Sequence, residues 1–249
     1  MTLKVQRFYV PDSLQNYNHL VLANDQAACV DPFDWSLAQK TATSLGVTIT
    51  EIWLTHGHGD HVAGVPADFA GIIRGHPDIT RCQVTHPINV DSEFYFAGSP
   101  VQSLTTPGHT FDHLCFFLPD TPALIAGDTL FNCGVGNTRS GDTDVLYESI
   151  LKLNTLPGKA SVYNGHDYMP TNLAFTESVI GESDLSASWK QRCAATTPES
   201  RPVTTLDDER AINLFLRLSD STLRKQLDIP AEASNIEAFR ALRQRRDQW

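Results

Sequence analysis

Thr55-His56-Gly57-His58-Gly59-Asp60-His61 places three imidazoles and a carboxylate within six positions. Burying so many polar groups without strong partners costs about 1–3 kcal/mol for each unpaired group. A divalent cation is the partner that accepts neutral imidazole nitrogens and carboxylate oxygens together. The preceding residues, Glu51-Ile52-Trp53-Leu54-Thr55, are a short apolar run that predicts a buried strand. The polar cluster therefore sits in the loop where that strand ends. Its two glycines free the backbone to fold the side chains inward.

The chain around this run has 249 residues, enough for one large domain or a large one with a smaller companion. No apolar stretch approaches the ~20 residues that span a bilayer. The opening Met1-Thr2-Leu3-Lys4-Val5 lacks the apolar run and small-residue cleavage pattern of a signal peptide. Cys29, Cys82, Cys115, Cys133 and Cys193 are scattered, odd in number and form no CxxC pair. Reduced thiols in a cytoplasmic protein are expected, with Cys115 serving as a small buried hydrophobe. The net charge of −10 argues against nucleic acid as the main partner, since that affinity rests on neutralising phosphates. Arg240, Arg243, Arg245 and Arg246 are a local exception to this acidic balance.

Up to about residue 168, short apolar runs alternate with turn signals. Strands are predicted over 5–10, 19–23, 27–30, 51–55, 101–105, 114–118, 123–126 and 161–164. Helical spacing marks 35–45 and 145–153, the second with Asp142 as its N-cap. Strands and helices mixed without strict alternation predict a layered α/β domain with helices on both sides of sheets. Beyond 168 the strand signals cease and helices are predicted over 172–180, 185–196, 207–218 and 236–246. The expectation is an α/β catalytic domain over 1–168 and a small all-helical domain over 169–249.

Three later segments repeat one form, an apolar strand followed by a glycine and then a polar residue. They are Gly108-His109, Gly127-Asp128 and Gly165-His166. With the opening cluster they supply five histidines and two aspartates, the number needed by two metals sharing one carboxylate. His56 and His58, two apart, would join His109 at one position. Asp60 and His61 would join His166 at the other, with Asp128 bridging. Zinc, iron and manganese all suit such a nitrogen-rich set; zinc is the working choice and the others stay open. Between two such cations a bound water loses its proton near neutral pH, which implies hydrolysis at a carbonyl or phosphoryl centre. His19, His76 and His86 are assigned no ligand role. His113 is expected to hold the local loop by a hydrogen bond. Cys133, though near in sequence, is not needed as a ligand.

These segments resemble the metallo-β-lactamase fold, and within it glyoxalase II, the hydroxyacylglutathione hydrolases. The Thr-His-x-His-x-Asp-His run, Pro107-Gly108-His109-Thr110, Gly127-Asp128-Thr129-Leu130-Phe131 and Gly165-His166-Asp167-Tyr168 carry the resemblance. The more specific signals are Asn213-Leu214-Phe215-Leu216-Arg217 and the segment from Phe239 to Asp247, which resemble that family's helical C-terminal region. The resemblance implies an αββα sandwich, a dinuclear site with Asp60 and Asp128 as catalytic carboxylates, and hydrolysis of S-D-lactoylglutathione by a metal-bound hydroxide. It also implies that Arg243 and Arg246 hold a glutathione carboxylate and that Tyr168 contacts glutathione. Spacing agrees, since i,i+3 puts both guanidinium groups on one helical face.

The sequence departs from the family where a basic residue and an aromatic follow the bridging aspartate. Asn137 and Arg139 stand there instead, and Arg139 would restore the positive charge from a different position. Competing readings are a glutathione persulfide dioxygenase with a single iron and a lactonase of the same fold. A binding or nucleic-acid-processing module on a retained metal scaffold is a further class. The helical extension favours the hydrolase over the dioxygenase. The basic helical face is not needed by a lactonase. The expected partner is a small glutathione thioester, with no nucleic acid and no membrane, and the protein is expected to be a monomer or weak homo-oligomer.

Overall fold

The computed structural model describes residues 2–249. Six strands form a first sheet in chain order: β1 (Lys4–Tyr9), β2 (Tyr17–Ala23), β3 (Gln26–Val30), β4 (Thr48–Trp53), β5 (Ile72–Gly75) and β6 (His86–Pro87). The first three are antiparallel neighbours, and from β3 to β6 the pairing is parallel. A second sheet is built from β7 (Ser92–Phe96), β8 (Ser99–Thr105), β9 (Leu114–Leu118) and β10 (Ala123–Gly127). A small ladder of β11 (Leu130–Phe131) and β12 (Gly134–Val135) follows, and β13 (Ser161–Asn164) closes the second sheet parallel to β10.

Period-two alternation explains how the layers stack. In β9, Leu114, Phe116 and Leu118 face inward and pack with Val21, Ala28, Val30 and Trp53 of the first sheet. Cys115 and Phe117 face the other way, joined by Leu124 and Ala126 of β10. Every side chain of β9 and β10 is buried, as their unbroken apolar sequences require. Helix α1 (Trp35–Ser44) covers the outer face of the first sheet through Ala38 and Ala42. The one-turn α2 (Gly59–Val62) carries part of the polar cluster. Helix α3 (Thr143–Leu153) covers the second sheet through Leu146, Ile150 and Leu153. The result is the expected αββα sandwich, with Asp142 accepting from the amides of Asp144 and Val145 as the N-cap of α3.

The helical extension comprises α4 (Met169–Ile180), α5 (Asp184–Ala194), α6 (Leu206–Ile212), α7 (Ser221–Gln226) and α8 (Asn235–Gln248). Pro170 falls in the first turn of α4, where its missing N–H is no loss. The helix expected over 207–218 stops at Ile212. There the Asn213 side chain donates to the carbonyl of Gly134 and to Glu209, and accepts from the amide of Phe215. These bonds draw the backbone out of the helix and into a single 3₁₀ turn, Leu214–Leu216. The sequence reading also missed β5, β6, β7 and α7, all short.

Phe175, Leu206, Phe215, Leu223, Phe239 and Leu242 of the extension share one apolar cluster with β9, β10, β13 and α3. Arg201 adds a paired contact: its Nε and Nη2 donate to the Asp167 carboxylate at 3.0 and 2.8 Å. All five cysteines are free, and Cys115 is fully buried. Among the described residues no helix is long and apolar enough to cross a membrane.

Candidate metal centre and adjoining cavity

The loops that follow β3, β4, β8, β10 and β13 converge at one edge of the sandwich. His56, His58, Asp60 and His61 follow β4, His109 follows β8, Asp128 follows β10 and His166 follows β13. Three groupings have ligand atoms close enough to share an ion: His56, His58 and His109; His56, His61 and Asp128; and Asp60, His61 and His166. All seven residues expected from the sequence therefore meet. Asp128 lies between the two halves, with Oδ2 3.5 Å from His109 Nε2 and 3.2 Å from His166 Nε2, and Oδ1 3.6 Å from His61 Nε2.

Glycine permits this crowding. Gly127 has φ +48°, and a Cβ there would meet Thr55 Oγ1 at 2.7 Å and His113 Nε2 at 2.8 Å. A Cβ on Gly165 would collide with Asp128 Oδ1.

The outward nitrogen of each of the five imidazoles has a partner. His56 Nδ1 meets Thr55 Oγ1 at 3.0 Å, and that hydroxyl donates to Asp31. His58 Nε2 meets Ser140 Oγ at 3.3 Å, and His61 Nδ1 meets Asp31 Oδ2 at 2.9 Å. His109 Nδ1 donates to the carbonyl of Asn137 at 2.7 Å, and His166 Nδ1 to that of Leu14 at 2.9 Å. Carbonyls and carboxylates accept only, and the Thr55 hydroxyl spends its proton on Asp31, so these partners put the ring proton of His56, His61, His109 and His166 on the outward nitrogen and turn the other lone pair inward.

The inward nitrogens then crowd one another. His58 Nδ1 is 3.0 Å from His56 Nε2 and 3.2 Å from His109 Nε2, while His61 Nε2 is 3.4 Å from His166 Nε2. Facing lone pairs repel unless a positive charge lies between them. Asp128 Oδ1 is buried with no hydrogen-bond partner among the described residues. Nitrogen and carboxylate donors in this arrangement fit two divalent cations.

The electrostatics agree. Burial, reinforced by His61, holds His56 well below the ordinary imidazole range, and burial with His109 lowers His58, so both are neutral and ligand-ready. Burial opposes charge on His61 too, but Asp128, Asp31 and Asp60 outweigh it and push it up to about 9. Burial likewise opposes ionisation of Asp128, yet His166 and His61 hold its carboxyl well below the usual range. Without a cation, protonated His61 supplies the positive charge that the cluster demands.

The remaining histidines lie away from the cluster or behind it. His19 is buried in β2, edge-on to Tyr163; His76 pairs with Asp78 at 3.6 Å; His86 is exposed in β6. His113 accepts from the Asp128 amide at 3.0 Å, while its Nδ1 meets Thr106 and Thr129 hydroxyls, so it fixes the loop that presents Asp128.

A cavity of about 330 Å³ opens beside Asp128. Tyr168, Asn137, Arg139, Arg243 and Arg246, the five residues expected to bind substrate, all line it. The two helical arginines differ. Arg243 is buried, and its Nη1 donates to the carbonyls of Val135 and Gly136 while Nη2 donates to Asp247. Only its Nε is without a partner. Arg246 makes no hydrogen bond or ion pair among the described residues. The Tyr168 ring stacks on His166 with centroids 4.9 Å apart and planes 5° apart, which joins cavity to cluster.

Sequence reasoning missed Asp31, which accepts from His61 and from both the amide and hydroxyl of Thr55. It also missed Asn16, whose side-chain amide donates to Asp60, and Phe131, Asn172 and Trp249 in the cavity wall. Asp31 had the same signal as the ligands, a polar residue directly after the apolar strand 27–30, though no glycine precedes it. Its φ of +51° is one that Asp tolerates better than most residues.

The family model for the hydroxyacylglutathione hydrolase C-terminus matches residues 167–249, and that of the metallo-β-lactamase superfamily matches residues 83–166. A hydroxyacylglutathione hydrolase of Polaromonas is 35% identical, with 98% of this chain and 99% of the relative aligned. The chain belongs to the hydroxyacylglutathione hydrolase family. A second member, from Francisella philomiragia, is 31% identical over 90% of this chain and 92% of its own length. Two solved structures share the fold. BLEG-1 B3 metallo-beta-lactamase superposes with a TM-score of 0.67 at 20% identity, over 86% of this chain and 99% of its own. ETHE1 from Myxococcus xanthus gives 0.66 at 24%, over 98% of each chain.

Proposed function

We propose that this member of the family hydrolyses the thioester of S-D-lactoylglutathione to D-lactate and glutathione in the cytoplasm. The observation that carries the reading is a cluster of inward-turned imidazoles and Asp128 opening directly onto a cavity walled by three arginines. Five free cysteines support the reducing compartment.

In this reading His56, His58 and His109 hold one cation, Asp60, His61 and His166 the second, and Asp128 reaches both. Bound there, divalent cations would supply Lewis acidity and make a deprotonated water accessible near neutral pH. The rest of the work falls to the chain itself. The outward partners of the five imidazoles hold the rings in place, and those of His56, His61, His109 and His166 also fix the tautomer, so no ring turns as charge develops. Asp60, less buried than Asp128, is placed to take up a proton from the water side. Arg246 and Arg139 pair with the carboxylates of the glutathionyl group, Arg243 adds its charge from the buried cavity wall, and Tyr168 flanks the group beside His166. Residues 1–168 thus carry the chemistry, and recognition is shared between them, through Asn137, Arg139 and Tyr168, and 169–249, through Arg243 and Arg246.

The test is an assay of metal-analysed protein on S-D-lactoylglutathione beside simple lactones, before and after chelation. Thioester cleavage abolished by chelation and restored by zinc, iron or manganese is expected. Lactone cleavage with the thioester untouched would reject the assignment.

A further inference from the structure

Arg246 is held in an unusual way for a surface-facing arginine. Its guanidinium carbon lies 5.1 Å from the Trp249 ring centroid and 5.4 Å from that of Phe175. The two rings meet edge to face with centroids 5.7 Å apart, so Arg246 rests in the corner between them. Trp249 directly follows α8, whereas Phe175 is anchored in α4 with its side chain in the main apolar cluster. Both contacts fall within the ~6 Å over which an aromatic face attracts a guanidinium.

We propose that Trp249 and Phe175 are positioning residues that hold Arg246 for an anionic substrate group without occupying any of its N–H donors. A carboxylate partner would orient Arg246 equally well, but would consume the donors and cancel the charge. Arg243 illustrates that alternative, with both Nη atoms bound to backbone carbonyls and Asp247. Aromatic faces orient the side chain and leave its planar fork open for two parallel bonds to a carboxylate. Restraining a long, rotamer-rich side chain before binding lowers the ordering cost that the ligand would otherwise meet. Trp249 and Arg246 both line the cavity beside Asp128, so the open fork faces the site already described.

This inference rests on the glutathione-thioester reading, and its test separates the two. Full-length wild type, Trp249→Ala, Trp249→Phe, Arg246→Ala and the double alanine variant are compared in two measurements. One is KM and kcat on the thioester; the other is calorimetric affinity for S-methylglutathione, which cannot be hydrolysed. Trp249→Ala is expected to raise KM and weaken S-methylglutathione about threefold to tenfold, with kcat within about twofold. Trp249→Phe restores most of the loss, and the double variant is no worse than Arg246→Ala alone. Unchanged affinity in Trp249→Ala, or losses that add in the double variant, would overturn the positioning role. Absence of thioester cleavage by wild type, with the affinity pattern intact, would reject the reaction and leave the clamp standing.

Discussion

The histidine cluster and the arginine cavity share Asp128 yet are built on opposite plans. In the cluster the outward nitrogen of every imidazole is committed to a protein partner, and the inward nitrogens converge with Asp128. In the cavity Arg246 has all its donors open and rests on aromatic faces. The cluster hangs on strand ends fixed by sheet pairing, the cavity on α4, α8 and the turn after β12. Reaction chemistry is served by fixed direction, and recognition of a ligand by donors that are oriented but not used. Both plans rest on the same sheet edge.

The strongest way to break the cluster is through the residue that both halves share. Asp128→Asn keeps the volume but loses the charge, and is expected to lower turnover about 10³-fold or more, with loss of bound metal by elemental analysis. An active, fully loaded variant would show that the halves do not depend on a common carboxylate. The cavity is tested through its support. Phe239 is fully buried against Tyr147 and Phe215, with ring centroids 5.3 Å apart in each pair. Phe239→Ala should destabilise the whole chain by about 3–5 kcal/mol in a single urea transition. Two separated transitions would show that the extension unfolds on its own.

A third test concerns Glu209, which lies under the cavity wall with donors from the Cys133 amide, the Thr204 hydroxyl and Asn213. Burial outweighs these donors and pushes its carboxyl up to about 7 from an ordinary 4.5. A raised folded-state value means that Glu209 adds stability below about 4.5, which is lost as pH rises through about 7. At about 1.4 kcal/mol per unit, Glu209→Gln should remove a decline of roughly 3 kcal/mol between pH 4.5 and 8. Equal slopes in denaturant titrations of the two proteins would sink this account. The mildest change is Asp31→Asn, whose amide would face the donors of Thr55 and His61. A fall of about 10–100-fold in metal affinity is expected, read by competition with a chelator. Unaltered affinity would show that the remaining four outward partners suffice.

The cluster was legible because its ligands are rare residue types placed by one repeated rule, a strand end followed by glycine. The same rule without the glycine leads to Asp31. Residues 72–75 and 86–87 were missed as strands because they are short and end in glycine or proline, and 92–96 because its mostly exposed, polar-led run lacks the apolar signature of a buried strand. Asn213 ends α6 by bonding to Gly134, a contact between residues 79 apart that no local pattern contains. Trp249 and Phe175 were invisible for a similar reason, since an aromatic residue in or just after a helix reads as core until its neighbour is known. Arg243 was legible in place but not in role, because spacing shows the face of a helix and not the carbonyls opposite it.

The apolar cluster shared by β9, β10, β13 and the extension helices α4, α6, α7 and α8 has a practical meaning for protein engineering. The arginine-bearing helix α8 is not a detachable module. Moving α8 onto another sandwich would require transplanting the outward rows of Cys115, Phe117, Leu124 and Val162 with it, since those rows are the floor on which the reading helix stands.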